Sequence, residues 1–215
     1  MFASASFRIR PEAGTALRRP FQNLLPLFLA GLISACVTPK SLELPEIVDW
    51  DSRQDILAGM DEWEFAGRIG VSAGDEGFNG QLWWRQDGVV FRARISGPLG
   101  VGTVFINGDG RELTVTDRDG VVTELHDAEA ELRRMYGWTI PVTSLRFWAL
   151  GIPDPASPAM TEFGDDGQLS KLRQQDWEVD ITQYREGGGQ LMPRRLTAVN
   201  DDVKMRLVID NWVFR

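Results

Sequence analysis

Beyond residue 64, hydrophobic and polar positions alternate with a period of two through most of the chain. Phe65, Gly67, Ile69 and Val71 fall on one side, with Ala66, Arg68, Gly70 and Ser72 on the other. That spacing predicts a strand with one buried face. Phe78–Gln86 predicts a second strand, and Asp87-Gly88 after it is a hairpin signal. Over Val89–Ser96, Val89, Phe91, Ala93 and Ile95 share one face and Arg92 and Arg94 the other, as in a half-buried antiparallel strand. Gly97-Pro98-Leu99-Gly100 interrupts the run. Strands are predicted again at Thr103–Asn107, Glu112–Thr116 and Val121–Glu124, and then at Met160–Phe163, Leu169–Gln174, Trp177–Tyr184, Leu196–Asn200 and Val203–Asp210.

Three stretches carry a helical pattern instead. Ser52 to about Glu62 places Ile56, Leu57 and Met60 on one side. Asp127 caps a segment reaching Tyr136 that Gly137 ends, and Pro141 starts one that Gly151 ends. The expected fold is therefore mostly β (α+β), a strongly curved antiparallel sheet of ten or eleven strands with three helices against its concave side. No repeat period and no internal linker follows residue 50, so residues 51–215 read as one domain.

The N-terminus is built differently. Residues 1–35 hold four arginines against Glu12, a charge of +3, so the remaining chain carries −11 for the total to be −8. Basic residues ending at Arg18-Arg19 precede an apolar run, Leu24 to Ile33, that Pro26 breaks and that is too short to span a bilayer. Leu32-Ile33-Ser34-Ala35-Cys36 resembles a bacterial lipobox, and Cys36 is the only cysteine in the chain. The expectation is a lipoprotein signal at 1–35, an acylated Cys36, and a flexible tether through residue 50 containing Pro39 and Pro45. Val37 stands where an aspartate would resemble an inner-membrane retention signal, which directs the expectation to the outer membrane of a Gram-negative envelope.

Composition narrows the chemistry. One Cys and one His cannot build a four-ligand zinc site or an internal disulfide. A body this acidic repels a phosphate backbone, which excludes nucleic acid as partner. No Gly-x-Ser-x-Gly elbow, Walker loop or dinucleotide fingerprint occurs. His126 beside Asp127 reads as a surface residue, and the acidic pairs Asp75-Glu76, Asp165-Asp166 and Asp201-Asp202 as solvated loop charge. No catalytic residue, metal site or cofactor is expected. The excess is in tryptophan: eight, against two tyrosines. Core packing accounts for most of them, but Trp83 and Trp84 are neighbours in a strand and must face opposite sides. An internal apolar cavity or a covering helix would accommodate both.

Three segments resemble the outer-membrane lipoprotein receptor family LolB: Ser96-Gly97-Pro98-Leu99-Gly100, the run from Ile140 to Pro153 (IPVTSLRFWALGIP), and terminal Asp210-Asn211-Trp212-Val213-Phe214. The order, the separations and the lipobox match as well. The resemblance implies a half-barrel lidded by helices around an apolar cavity. It implies a non-catalytic, monomeric receptor that accepts acylated lipoproteins from a LolA-like periplasmic carrier and inserts them into the inner leaflet of the outer membrane. It also implies that Gly97, Pro98, Leu99 and Gly100 form the membrane-insertion loop with Leu99 entering lipid, and that Trp84 and Trp148 line the cavity or lid. Phe91, Ile95, Phe105 and Leu145 join them by alternation, and Arg146 ties the lid helix to a strand. The competing reading is an outer-membrane lipoprotein that binds another hydrophobic ligand or serves a structural role.

Overall fold

The computed structural model describes residues 41–97, 102–109, 111–136 and 139–215. Among them are eleven strands and three helices. Helix α1 (Trp50–Ala58) precedes β1 (Glu62–Ala73), β2 (Glu76–Asp87), β3 (Val90–Ser96), β4 (Val104–Gly108), β5 (Leu113–Thr116) and β6 (Val122–Leu125). Helices α2 (Ala128–Tyr136) and α3 (Val142–Leu150) follow. The chain closes with β7 (Ala159–Phe163), β8 (Leu169–Gln174), β9 (Trp177–Gly187), β10 (Gln190–Val199) and β11 (Val203–Phe214). Every strand predicted from the alternation is present. Residues Pro39–Arg215 make one compact unit that contains all of the buried core found among the described residues, so this part of the chain has what it needs to fold by itself.

The strands form one curved, open antiparallel sheet in the order β6-β5-β4-β3-β2-β1-β11-β10-β9-β8-β7. Two meanders, β1–β6 and β7–β11, are joined where β1 pairs with β11 along its length. That order dictates where the helices go. β6 and β7 are the two opposite edges of the sheet, so the chain between them has to cross it from edge to edge. Flat, eleven strands at about 4.8 Å spacing would put those edges nearly 50 Å apart. Curving the sheet shortens the crossing and hollows one face, and α2 and α3 ride across that face.

On this covered face, Trp63, Phe65, Ile69 and Val71 of β1 meet Phe214, Trp212, Leu207 and Met205 of β11. Rings run in contact across four strands: Phe91 stacks on Trp84 at 4.2 Å, Trp84 on Phe65 at 6.3 Å, Phe65 meets Trp212 edge-on at 5.3 Å, and Trp212 stacks on Phe214 at 5.7 Å. Offset and edge-on pairs of this kind add to the area they bury. Gly67 sits where β1 and β11 shift register, and a Cβ there would run into the carbonyl of Val208. Gly151 ends α3 in the left-handed region (φ 77°), packed so closely that a Cβ would lie 2.8 Å from Pro193.

Three boundaries differ from expectation. Helix α1 starts at Trp50 under a cap from Asp49, whose carboxylate accepts from the Ser52 amide while Ser52 Oγ accepts from Asp49 N–H, and Gly59 ends it. Residues 41–49 of the expected tether lie against the sheet: the Leu42 amide donates to Phe214 O (2.9 Å), the Leu44 amide to Gly188 O (2.7 Å), and Leu44 is buried. β10 begins at Gln190 rather than Leu196, because Pro193 sits at a register shift where its missing N–H breaks the ladder without ending the strand.

Candidate functional site

The covered face is sealed unevenly. Toward β8–β11, Leu172, Val179, Met192, Leu196, Met205 and Leu207 are wholly buried. Helix α3 presses on this part with Leu145, Phe147, Trp148, Ala149 and Leu150. One buried amide, Gln174, holds it there. Trp148 Nε1 donates to Gln174 Oε1 (2.9 Å), and Gln174 Nε2 donates to the carbonyls of Asp154 (2.7 Å) and Ser157 (2.8 Å). Buried Asp154 accepts from Ser144 Oγ at 2.8 Å. Across the face, Trp84 Nε1 donates to Gln86 Oε1 (3.1 Å), and Gln86 in turn donates to the Gly88 carbonyl (2.9 Å). Each indole N–H thus has a partner, as burial demands.

Toward the loop between β3 and β4 the same face is apolar but not sealed. Ile95 and Val104, register partners beside Ser96 and Thr103, are only partly buried, and so are Ile106 and Val115. On the helical side Leu132, Ile140 and Val142 are likewise part-buried against the core. Helix α2 is fastened at its start, where the Ala128 amide donates to Arg111 O at 2.9 Å. Burial raises the pKa of Glu129 in its first turn, and Asp127 and Asp176 add to the shift while Arg133 opposes it. Asp176 lies in the turn between β8 and β9, so α2 reaches from the β6 edge toward the other end of the sheet.

Of the residues expected to line a cavity or lid, Trp84, Phe91 and Ile95 lie on the covered face. Leu145 and Trp148 lie on α3 and are buried. Phe105 does not join them. It pairs with Arg94, points to the outer face and is 46% exposed, and Ile106 takes the inward position. Trp83, left without a side by alternation, is also on the outer face, opposite Arg94. Arg146 Nη1 donates to Gly88 O at 3.3 Å, tying α3 to the β2–β3 hairpin, with its guanidinium 4.4 Å above Phe147. Arg53, buried on α1, donates to Leu150 O (3.1 Å) and joins the first helix to the end of α3. Of the expected insertion loop, Gly97 is described; Pro98, Leu99 and Gly100 lie outside the described residues, as do Cys36, Gly137 and Trp138. Gln86 and Gln174 went unnoticed in the sequence, although each shares the inward phase of a buried neighbour two residues earlier, Trp84 and Leu172.

A curved, open antiparallel sheet with helices across its apolar face is the fold class to which the chain belongs. A solved LolA superfamily protein from Nitrosomonas europaea has the same fold, with a TM-score of 0.51 at 12% identity over 79% of this chain and 94% of its own. The chain belongs to a particular family within that class: the model for the outer membrane lipoprotein LolB matches residues 61–212. The outer-membrane lipoprotein LolB of Stutzerimonas stutzeri is 32% identical over 197 residues, covering 89% of this chain and 95% of its own. That of Pseudomonas paraeruginosa is 31% identical over 196 residues, covering 87% and 96%. The family is one of outer-membrane lipoproteins that serve lipoprotein localisation, not of enzymes.

Proposed function

We propose that this protein takes acylated lipoproteins from a LolA-like periplasmic carrier onto its covered apolar face and inserts them into the inner leaflet of the outer membrane. Cys36, once acylated, anchors it there as a monomer facing the periplasm. The observation that carries the reading is the unsealed apolar patch of Ile95, Val104, Ile106 and Val115, set directly beside the β3–β4 loop. An acyl chain can be accepted there without unpicking the packed core under α3.

The energetic need is plain. Each buried CH₂ is worth about 0.8 kcal/mol, so three long acyl chains represent on the order of 30 kcal/mol gross. No lipoprotein leaves a membrane for water against that figure. A protein surface that offsets nearly all of it makes the crossing feasible, and small differences between successive apolar surfaces can set direction without ATP. Gly97-Pro98-Leu99-Gly100 then delivers the cargo, and Leu99 entering lipid gains about 1.5–3 kcal/mol.

The test uses residues 37–215 with carrier-bound labelled lipoprotein and liposomes. Wild type moves the label from carrier to protein to membrane. Leu99→Glu accepts cargo from the carrier but stalls before the membrane. Normal release by that variant would overturn the insertion role, and no movement off the carrier even in wild type would favour a protein that binds some other hydrophobic ligand.

A further inference from the structure

The outer face of the sheet carries charge in two different ways. Over β8 and β9 the cations are matched: Lys171 lies 3.2 Å from Glu178 and 3.6 Å from Asp180, and Arg173 lies 2.9 Å from Glu178. Over β2–β6 they are matched only in part: Arg85 lies 4.0 Å from Glu62. Arg92 and Arg94 are both exposed, and neither has an acidic partner within 4.0 Å among the described residues. Arg92 stands directly opposite Arg85 across the β2–β3 ladder, a like-charge pairing that costs stability. Arg94 stands between Trp83 on one neighbouring strand and Phe105 on the other. The register continues that row through Thr116 to Val122, which is 56% exposed.

A shallow depression of about 560 Å³ lies at the loop end of this row, lined by Arg94, Ser96, Thr103, Phe105, Asp117 and Arg118 among others. The one carboxylate in it is occupied, since Asp117 Oδ1 accepts from the amides of Asp119 and Val121, both at 2.9 Å. Thr103 Oγ1 donates to Ser96 Oγ at 3.1 Å, holding the two ends of the β3–β4 connection side by side. Exposed arginines interleaved with Trp, Phe and Val form the composition of a surface that rests in a bilayer's headgroup zone, rings in the interface and guanidinium groups on phosphates. In a chain with net charge −8, such a patch complements an anionic surface.

We infer that the outer face of β2–β6 at its loop end, through Arg92, Arg94, Trp83 and Phe105, docks on the headgroups of an anionic phospholipid bilayer. The inference builds on the proposed insertion role, since it places the membrane at the end of the sheet where Leu99 would enter it. Docking would hold the unsealed apolar patch, on the other face of the same strands, at the membrane surface during delivery.

The experiment is flotation of residues 37–215 with vesicles of phosphatidylcholine alone or with about a third phosphatidylglycerol. The compared proteins are wild type, Arg92→Gln/Arg94→Gln and Arg195→Gln, the last an exposed arginine on β10, four strands away. Wild type and Arg195→Gln bind the anionic vesicles more tightly than the neutral ones, and the double variant loses about 30-fold of that affinity. The difference collapses near 0.5 M salt, where the screening length is only about 4 Å. The double variant keeps its thermal stability or gains a little, because the Arg85–Arg92 repulsion is gone. It still takes labelled cargo from the carrier. Equal binding by wild type and the double variant would overturn the inference while leaving the Leu99 stall as a separate result. A double variant that binds vesicles normally but no longer accepts cargo would assign the face to an acidic protein and overturn the inference as well.

Discussion

The two ends of the covered face are built from similar residues and do different things. Under α3, Leu196 and Leu207 are fully enclosed, and Gln174 and Asp154 pair with Trp148 and Ser144 of the helix. Beside the β3–β4 loop, Ile95, Ile106 and Val115 share the inward phase but stay partly open. Packing density is what stabilises a core, and incomplete packing is what leaves room for a guest. The sealed end therefore holds the scaffold, and the unsealed end is free to bind. A protein that packed both ends equally well would be more stable and would have nowhere to receive an acyl chain.

The sharpest way to break this comparison is to make one truncation at each end. Leu196→Ala at the sealed end should cost about 3–4 kcal/mol in denaturant unfolding, since the cavity it leaves cannot collapse. Ile106→Ala at the open end should cost only about 1 kcal/mol. Equal losses would mean that both ends are core. A smaller effect sharpens the picture of the lid. Glu129 of α2 has its pKa raised by burial, with Asp127 and Asp176 adding to the rise. A folded-state pKa above the unfolded value favours the protonated form in the fold. The contribution is complete below about pH 4.5, the ordinary carboxyl value, and is lost as pH rises through the folded value. Glu129→Gln should therefore raise the melting temperature at pH 7 and leave it nearly unchanged at pH 4. A rise of equal size at both pH values would show that Glu129 is not desolvated by α2 packing.

Much of this architecture is legible in the alternation itself, because a period of two says which residues share a face. It does not say which face is the inside. Thr103–Asn107 offers an apolar residue in each phase, Phe105 in one and Ile106 in the other, and only the register against Arg94 decides that Phe105 faces out. Trp83 and Trp84 pose the same problem and are resolved the same way. Gln86 and Gln174 escape attention because an amide looks like a surface residue until the indole it serves is seen beside it. The segment at 41–49 reads as a tether from its prolines, yet its backbone finds partners on Phe214 and Gly188, contacts that only tertiary structure supplies. Local pattern carries the strands. Long-range register carries the site.

The most direct test of the account places a photo-crosslinking side chain at Ile106 or at Leu207 and loads each protein with lipoprotein labelled in its acyl chains. The account predicts cross-linking to the acyl chains from position 106 and none from position 207, with the position-106 product disappearing once liposomes are added. Equal yields from both positions, or no product from position 106 while cargo is bound, would contradict it.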